Sequence, residues 1–310
     1  MVEVAPQLKK WLKKYNHLMA KWLESGAVLT PEIAREGFAI LTRNLVTDIP
    51  QLALVRDEKI ENPKQIVPVR IYHPVPDVAL PILIYLHGGG HVAGSVEVYD
   101  PICRKIALAT RHIVVAVDYR LAPEYRYPAG IEDSVVVLEG CLGLLERIGL
   151  CYLPRIALAG DSAGGAMSAT LAHTFQGHPD LTISHLMLLY PSLDYTMSLP
   201  SVTEFASGYM LEKERICWYF DRYFQGHGRR REVSPLFMKV TDRFPKTLIV
   251  TAGFCPLQDE GNQYFSLLKK GGVAAQHLHL DEMIHAFLNM ESLVPESCAQ
   301  VYRAMDDFLQ

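Results

Sequence analysis

Residues 157–167 read ALAGDSAGGAM and contain the pattern G-x-S-x-G around Ser162. The apolar run at residues 154–159 predicts a buried strand, because it is short and ends at a glycine. Residues 166–173 are rich in Ala, Met and Leu, which favours a helix. This order predicts a sharp turn that strains the Ser162 backbone, with the start of the helix favouring negative charge beside the hydroxyl. A glycine-rich turn with a capping serine is the alternative interpretation.

The composition of the 310-residue chain is that of a globular protein, with 49% hydrophobic and 21% charged residues. A formal net charge of −4 does not favour binding to nucleic acid. No apolar run reaches the roughly 18 residues that a membrane span needs. The first residues lack the basic and apolar regions of a signal peptide. Six scattered cysteines without a C-x-x-C pair indicate free thiols and predict a cytoplasmic protein.

Strand and helix patterns alternate from about residue 52 to the C-terminus. Strands are predicted near residues 52–60, 66–72, 81–86, 112–118, 154–159, 185–190, 247–251 and 275–280, and helices near residues 101–110, 128–147, 166–173 and 259–270 and before Gln310. This alternation predicts an α/β fold with a mostly parallel central sheet and helices on both faces.

Two stretches interrupt the alternation and predict a helical cap, residues 1–50 and an insert at about residues 191–235, on an α/β domain of residues 51–310. Residues 11–23 predict an amphipathic helix, and a second helix is predicted from Pro31 with Thr30 as its N-cap. The first helix is also compatible with a surface that meets lipid. Several cap side chains are expected either to shape an apolar pocket or to fill the core of the cap, namely Met210, Leu211, Trp218 and Phe220.

The glycine run His87-Gly88-Gly89-Gly90 directly follows a strongly apolar predicted strand. It does not match G-x-G-x-x-G, so a dinucleotide site is not expected. Consecutive glycines can instead turn backbone N–H groups toward an oxyanion. A simple tight turn is the alternative.

Five blocks of the sequence resemble the hormone-sensitive-lipase-like branch of the α/β-hydrolase family. They are HGGG at residues 87–90, DYRLAPE at 118–124 with Pro-Ala at 128–129, GDSAGG at 160–165, PLQDEG at 256–261 and HAF at 285–287. The resemblance implies an α/β-hydrolase fold with a two-part cap, carboxylesterase, lipase or deacetylase activity, and no metal or organic cofactor. It also implies that Ser162 is the nucleophile, that His285 is its general base, and that the N–H groups of Gly88, Gly89 and Ala163 form the oxyanion hole.

The residues themselves favour the same roles for Ser162 and His285. A serine hydroxyl is a weak nucleophile at neutral pH and needs a base, and Ser before His is the chain order of this fold. His277 and His279 lie near His285 in the sequence and raise the alternative of a zinc site. They alternate along a predicted strand without a carboxylate or Cys at ligand spacing, which argues against zinc.

Cys255 stands where the resembling family has the Asp of its catalytic triad. A neutral thiol is a weak acceptor and carries no charge, whereas a thiolate requires a lowered pKa. Two carboxylates are candidate substitutes: Asp259, which is otherwise a helix N-cap, and Glu282, which is otherwise a surface residue. Cys255 is otherwise a natural or introduced change that weakens an enzyme, or the mark of a protein that kept its pocket and lost turnover.

We therefore expect a serine hydrolase that cleaves small-molecule carboxylic esters of short to medium acyl chain through an acyl-Ser162 intermediate. A ligand-binding or sensor protein on a hydrolase scaffold is the alternative from another class, and deacetylation of a small metabolite is the alternative among enzymes. The sequence leaves the natural ester and the oligomeric state open, a homodimer included.

Overall fold

The computed structural model describes residues 2–310 and contains nine α-helices and eight strands in that range. The helices are α1 (Pro6–Glu24), α2 (Pro31–Leu45), α3 (Val96–Thr110), α4 (Ala129–Arg147), α5 (Ala163–Phe175), α6 (Ser201–Glu204), α7 (Lys213–Phe224), α8 (Gln258–Lys270) and α9 (Pro295–Leu309). The strands are β1 (Leu54–Glu61), β2 (Ile66–His73), β3 (Leu80–Leu86), β4 (Ile113–Val117), β5 (Tyr152–Asp161), β6 (Ile183–Leu189), β7 (Lys246–Phe254) and β8 (Ala275–Ile284).

All eight strands form one sheet in the order β1-β2-β4-β3-β5-β6-β7-β8. The pairs β1–β2 and β2–β4 are antiparallel, and every pair from β4 to β8 is parallel. The prediction of a mostly parallel sheet with helices on both faces is confirmed. In such a sheet the carboxyl ends of the parallel strands lie at one edge, where α/β proteins bind ligands.

The central strands are apolar along their whole length because both faces of the sheet are covered. Every residue of β3 and β4 is buried. Alternate side chains of these strands join two separate cores, one shared with α3 and α9 and the other with α4, α5 and α8. The two layers of helices therefore hold the strand ends in fixed positions.

Some boundaries differ from the predicted ones for local reasons. Helix α3 begins at Val96 and not near Pro101, because the Ser95 hydroxyl caps it by accepting from the Val98 N–H at 3.2 Å. Strand β8 continues to Ile284, since its last residues pair with the end of β7. The predicted Thr30 cap is confirmed, with its Oγ1 accepting from the Ile33 N–H at 3.3 Å.

Helices α1, α2 and α7 contact one another although α7 is far from the other two in sequence. Asn16 donates to the Gly208 carbonyl at 2.9 Å, and the Trp218 indole donates to the Leu29 carbonyl at 3.3 Å. Within residues 2–310, none of the helices combines the length and the apolar character required to cross a membrane.

Candidate active site

Ser162 lies at the junction of β5 and α5 and has a left-handed, strained backbone with φ 52° and ψ −117°. Its N–H donates to the Leu189 carbonyl at 2.9 Å, which fixes the turn to the neighbouring strand. The turn passes so close to β3 that a Cβ at Gly164 would lie 1.9 Å from the Leu86 oxygen. Only glycine fits there, which explains the second glycine of the G-x-S-x-G pattern.

His285 follows β8 and meets Ser162 across 123 positions of sequence, with its Nε2 2.9 Å from the Ser162 Oγ. The imidazole is buried, and desolvation lowers the pKa of His285 to about 3. A neutral imidazole is the form that can accept the serine proton. The structure therefore brings the predicted nucleophile and base into hydrogen-bond contact.

Cys255 follows β7 and lies on the other side of the imidazole, with its Sγ 3.2 Å from His285 Nδ1. The sulfur also accepts from the Leu257 N–H at 3.3 Å. For Nε2 to accept the proton of Ser162, Nδ1 must carry the ring hydrogen and donate it to sulfur. Burial raises the pKa of the Cys255 thiol, so the group that faces Nδ1 is neutral.

Neither candidate substitute carboxylate reaches His285. Asp259 accepts from the Ser201 N–H at 2.9 Å and so caps the short helix α6. It is not the N-cap of α8 either, because that helix already begins at Gln258. Glu282 is exposed at the end of β8. Among residues 2–310, Cys255 and Ser162 are the side chains that hydrogen-bond to the His285 ring, which corrects the expectation for Asp259 and Glu282.

Gly88 does not offer its N–H to the site, because that group donates to Asp161 Oδ1 at 2.7 Å. This contradicts the sequence-based assignment of Gly88 to the oxyanion hole. Gly89, Gly90 and Ala163 instead line the cavity that contains Ser162. The positive φ angles of 118° at Gly89 and 64° at Gly90 turn the backbone after Gly88.

Asp161 fixes this turn and was not singled out from the sequence, although it belongs to the G-x-S-x-G pattern itself. Besides Gly88, its carboxylate accepts from the hydroxyl of Tyr85 at 3.0 Å and that of Tyr99 at 2.8 Å. Burial raises the pKa of Asp161 to about 6, against the opposing effect of these hydrogen bonds. One buried carboxylate thus connects β3, α3 and β5 beneath the candidate oxyanion hole.

A cavity of about 690 Å³ opens above Ser162 and is bounded by α1, α2 and α7. Of the cap residues expected at a pocket, Met210, Leu211 and Phe220 line it. Trp218 instead lies between helices, where it donates to Leu29 and stacks on the Arg222 guanidinium at 3.7 Å. The volume and apolar walls suit a small organic molecule.

His277 and His279 lie together on β8 and away from Ser162. Both rings hydrogen-bond to the Thr251 hydroxyl, at 2.8 Å and 2.7 Å. Their place in the structure is therefore a contact between β7 and β8.

Comparison with known proteins agrees with this geometry. Residues 83–289 match the family described as alpha/beta hydrolase fold. The chain is 36% identical over 251 residues to carboxylesterase NlhH of Mycobacterium tuberculosis, covering 77% of this chain and 76% of that protein. It is 33% identical over 237 residues to ethyl acetate hydrolase of Pseudomonas putida, covering 74% of each.

Solved structures give the same result over the whole fold. A hyperthermophilic esterase from Pyrobaculum calidifontis superposes with a TM-score of 0.87 at 29% identity, covering 99% of this chain and 98% of the other. The sheet order, the Ser162 turn and these likenesses together place the chain in the α/β-hydrolase family, as a serine hydrolase of the carboxylesterase type.

Proposed function

We propose that the protein hydrolyses carboxylic esters of short to medium acyl chain through an acyl-Ser162 intermediate. The observation that carries the proposal is the 2.9 Å contact between Ser162 Oγ and His285 Nε2 at the floor of an apolar cavity. The similarity to a protein named ethyl acetate hydrolase supports a short acyl group.

In the first half-reaction, Ser162 Oγ attacks the ester carbonyl carbon while its proton passes to His285 Nε2. The carbonyl oxygen becomes an oxyanion and accepts hydrogen bonds from the N–H groups of Gly89, Gly90 and Ala163. The imidazolium then gives its proton to the leaving alkoxide, and the acyl group stays on Ser162.

In the second half-reaction, His285 accepts a proton from water, and the resulting hydroxide attacks the acyl carbon. Collapse of this second tetrahedral intermediate expels Ser162 Oγ, which takes the proton back from Nε2. The products are the alcohol and the carboxylic acid, and no cofactor is needed for either step.

Cys255 makes both half-reactions slower than they would be with a carboxylate. Each half-reaction passes through an imidazolium, and a neutral thiol at Nδ1 offers it a weak acceptor without charge. In serine proteases, loss of the triad Asp lowers turnover on the order of 10⁴-fold, whereas the oxyanion hole and binding still supply roughly 10³-fold over water. We therefore propose a working but slow esterase.

We assign α1, α2 and the region around α7 to a cap formed by residues 1–50 and about 191–235. The cap supplies the apolar walls of the cavity and separates the ester from bulk water.

The test of ester hydrolysis compares this chain with Ser162→Ala on p-nitrophenyl butyrate. We expect release of p-nitrophenol by the unchanged chain only, together with a butyryl adduct on Ser162 in the mass spectrum of the quenched protein. Equal rates for the two proteins, or an adduct elsewhere, would exclude Ser162 as the nucleophile.

A second candidate is a ligand-binding protein on the same scaffold, and the neutral Cys255 thiol beside His285 is the observation that favours it. It predicts that Ser162→Ala leaves ligand affinity unchanged and that hydrolysis never exceeds the Ser162→Ala background.

A further inference from the structure

Arg215 of α7 lines the same cavity as Ser162. Other arginines nearby are occupied, since Arg222 stacks on Trp218 at 3.7 Å and Arg230 pairs with Asp221 at 2.8 Å. Within residues 2–310, no carboxylate lies at ion-pair distance from the Arg215 guanidinium. The half-buried guanidinium therefore has unused donors that face the cavity.

The position of Arg215 follows from its neighbour one helical turn later. The Tyr219 ring lies on the backbone of Gly90, because a Cβ there would be 2.4 Å from Tyr219 Cγ. Burial raises the pKa of Tyr219, and the charge of Arg215 opposes that rise, as it also does at Tyr15 of α1. The guanidinium thus lies between α1 and α7, on the side of the cavity above the oxyanion turn.

The remaining charges of the cavity leave its free charge positive. The cavity is lined by two side chains that are cationic at neutral pH, Lys14 and Arg215, and by one acidic side chain, Asp161. The Asp161 carboxylate is buried and accepts from three protein donors. Glu212, one turn before Ile216, is outside the lining and accepts from the Gly208 N–H at 2.9 Å.

We propose that Arg215 binds an anionic group, a carboxylate or a phosphate, at the end of the ester substrate away from the scissile bond. A partly desolvated guanidinium gains most from a carboxylate or phosphate, to which it donates two parallel hydrogen bonds. The apolar walls would hold the hydrocarbon part between that group and the ester. This inference rests on the proposed ester hydrolysis and narrows its substrate to amphiphilic, anionic esters.

The test uses two pairs of esters that differ only in the terminal charge. The first pair is mono-4-nitrophenyl suberate and 4-nitrophenyl octanoate, with the anion on the acyl side. The second pair is the hexanoate esters of 6-hydroxyhexanoate and of 1-hexanol, with the anion on the alcohol side. We expect kcat/KM to favour the charged ester about tenfold or more in at least one pair, and less as ionic strength rises.

The variants Arg215→Met and Arg215→Lys assign that preference to one side chain. Arg215→Met should abolish the preference while the rate on the neutral ester stays, and Arg215→Lys should retain part of it, since the charge remains without the planar fork. Arg222→Met, on the same helix and outside the cavity lining, is the matched control and should behave like the unchanged chain.

Two results would overturn the inference: no preference for the charged ester in either pair, or a preference that survives Arg215→Met. Hydrolysis of the neutral esters by the unchanged chain and by both Arg215 variants reports separately on the proposed function and on folding. Failure of the inference is therefore distinguishable from failure of ester hydrolysis.

Discussion

At the scale of single residues, the chemistry of the site depends on what faces the two nitrogens of His285. Ser162 Oγ lies at Nε2 and Cys255 Sγ at Nδ1, at 2.9 Å and 3.2 Å. A carboxylate at Nδ1 would favour the imidazolium, but a buried thiol does not. The low pKa of His285 follows from burial without such a compensating charge.

This arrangement predicts an unusual pH dependence. Hydrolysis requires neutral His285, and desolvation lowers its pKa to about 3, so kcat/KM for a neutral ester should not fall through loss of the base until well below pH 5, by about a unit or more. In Cys255→Asp the carboxylate raises the pKa of His285, so the acidic limb of the profile should move to higher pH.

The comparison of the two pH profiles isolates His285. Asp161 has a pKa that burial raises to about 6, but it is the same in both proteins and cancels in the difference. Acidic limbs at the same pH in both proteins would contradict the assignment of His285 as the base whose partner is Cys255.

At the scale of elements, the candidate oxyanion hole depends on three elements that Asp161 connects. The carboxylate holds Gly88 after β3, Tyr85 in β3 and Tyr99 in α3, while its own residue ends β5. The Ser162 turn and the glycine turn are therefore positioned by the same group.

Asp161→Asn should disturb this connection, because an amide has one acceptor oxygen and cannot receive all three donors as a carboxylate does. We expect kcat to fall about tenfold or more, since loss of one oxyanion donor alone costs 10²–10³-fold in another hydrolase. KM should change less than kcat. Asp118→Asn is the control, as Asp118 accepts from the Val96 N–H at 3.3 Å outside the cavity lining. Equal kcat for both variants would contradict the role of Asp161.

Sequence patterns predicted most elements because apolar periodicity reflects which faces are covered. The eight strands and the pairing of Ser162 with His285 follow from such patterns and from the order of the motifs. The identity of the glycine that faces the cavity did not follow, since it depends on Asp161, which lies 73 positions from Gly88. The partner of His285 Nδ1 was likewise not decided, because sequence does not show whether Asp259 reaches β8 or caps α6.

At the scale of the whole molecule, the sheet and the three helices α1, α2 and α7 divide the work. The sheet places Ser162, His285 and Cys255 at the ends of β5, β8 and β7. The helices enclose the cavity above them and add Arg215 to its wall. A rigid sheet can therefore serve different esters through changes confined to the covering helices.

The central claim is that this chain has an intact ester-hydrolysing site whose rate is limited by the neutral thiol of Cys255. The most direct measurement is kcat/KM on p-nitrophenyl butyrate for the unchanged chain, Cys255→Asp, Cys255→Ser and Ser162→Ala, with circular dichroism to verify folding. Cys255→Ser controls for loss of the sulfur without a gain of charge.

We predict that the unchanged chain exceeds Ser162→Ala, that Cys255→Ser stays near the unchanged chain, and that Cys255→Asp raises kcat/KM by about 10²-fold or more. A folded Cys255→Asp protein with a rate equal to or below that of the unchanged chain would contradict the claim.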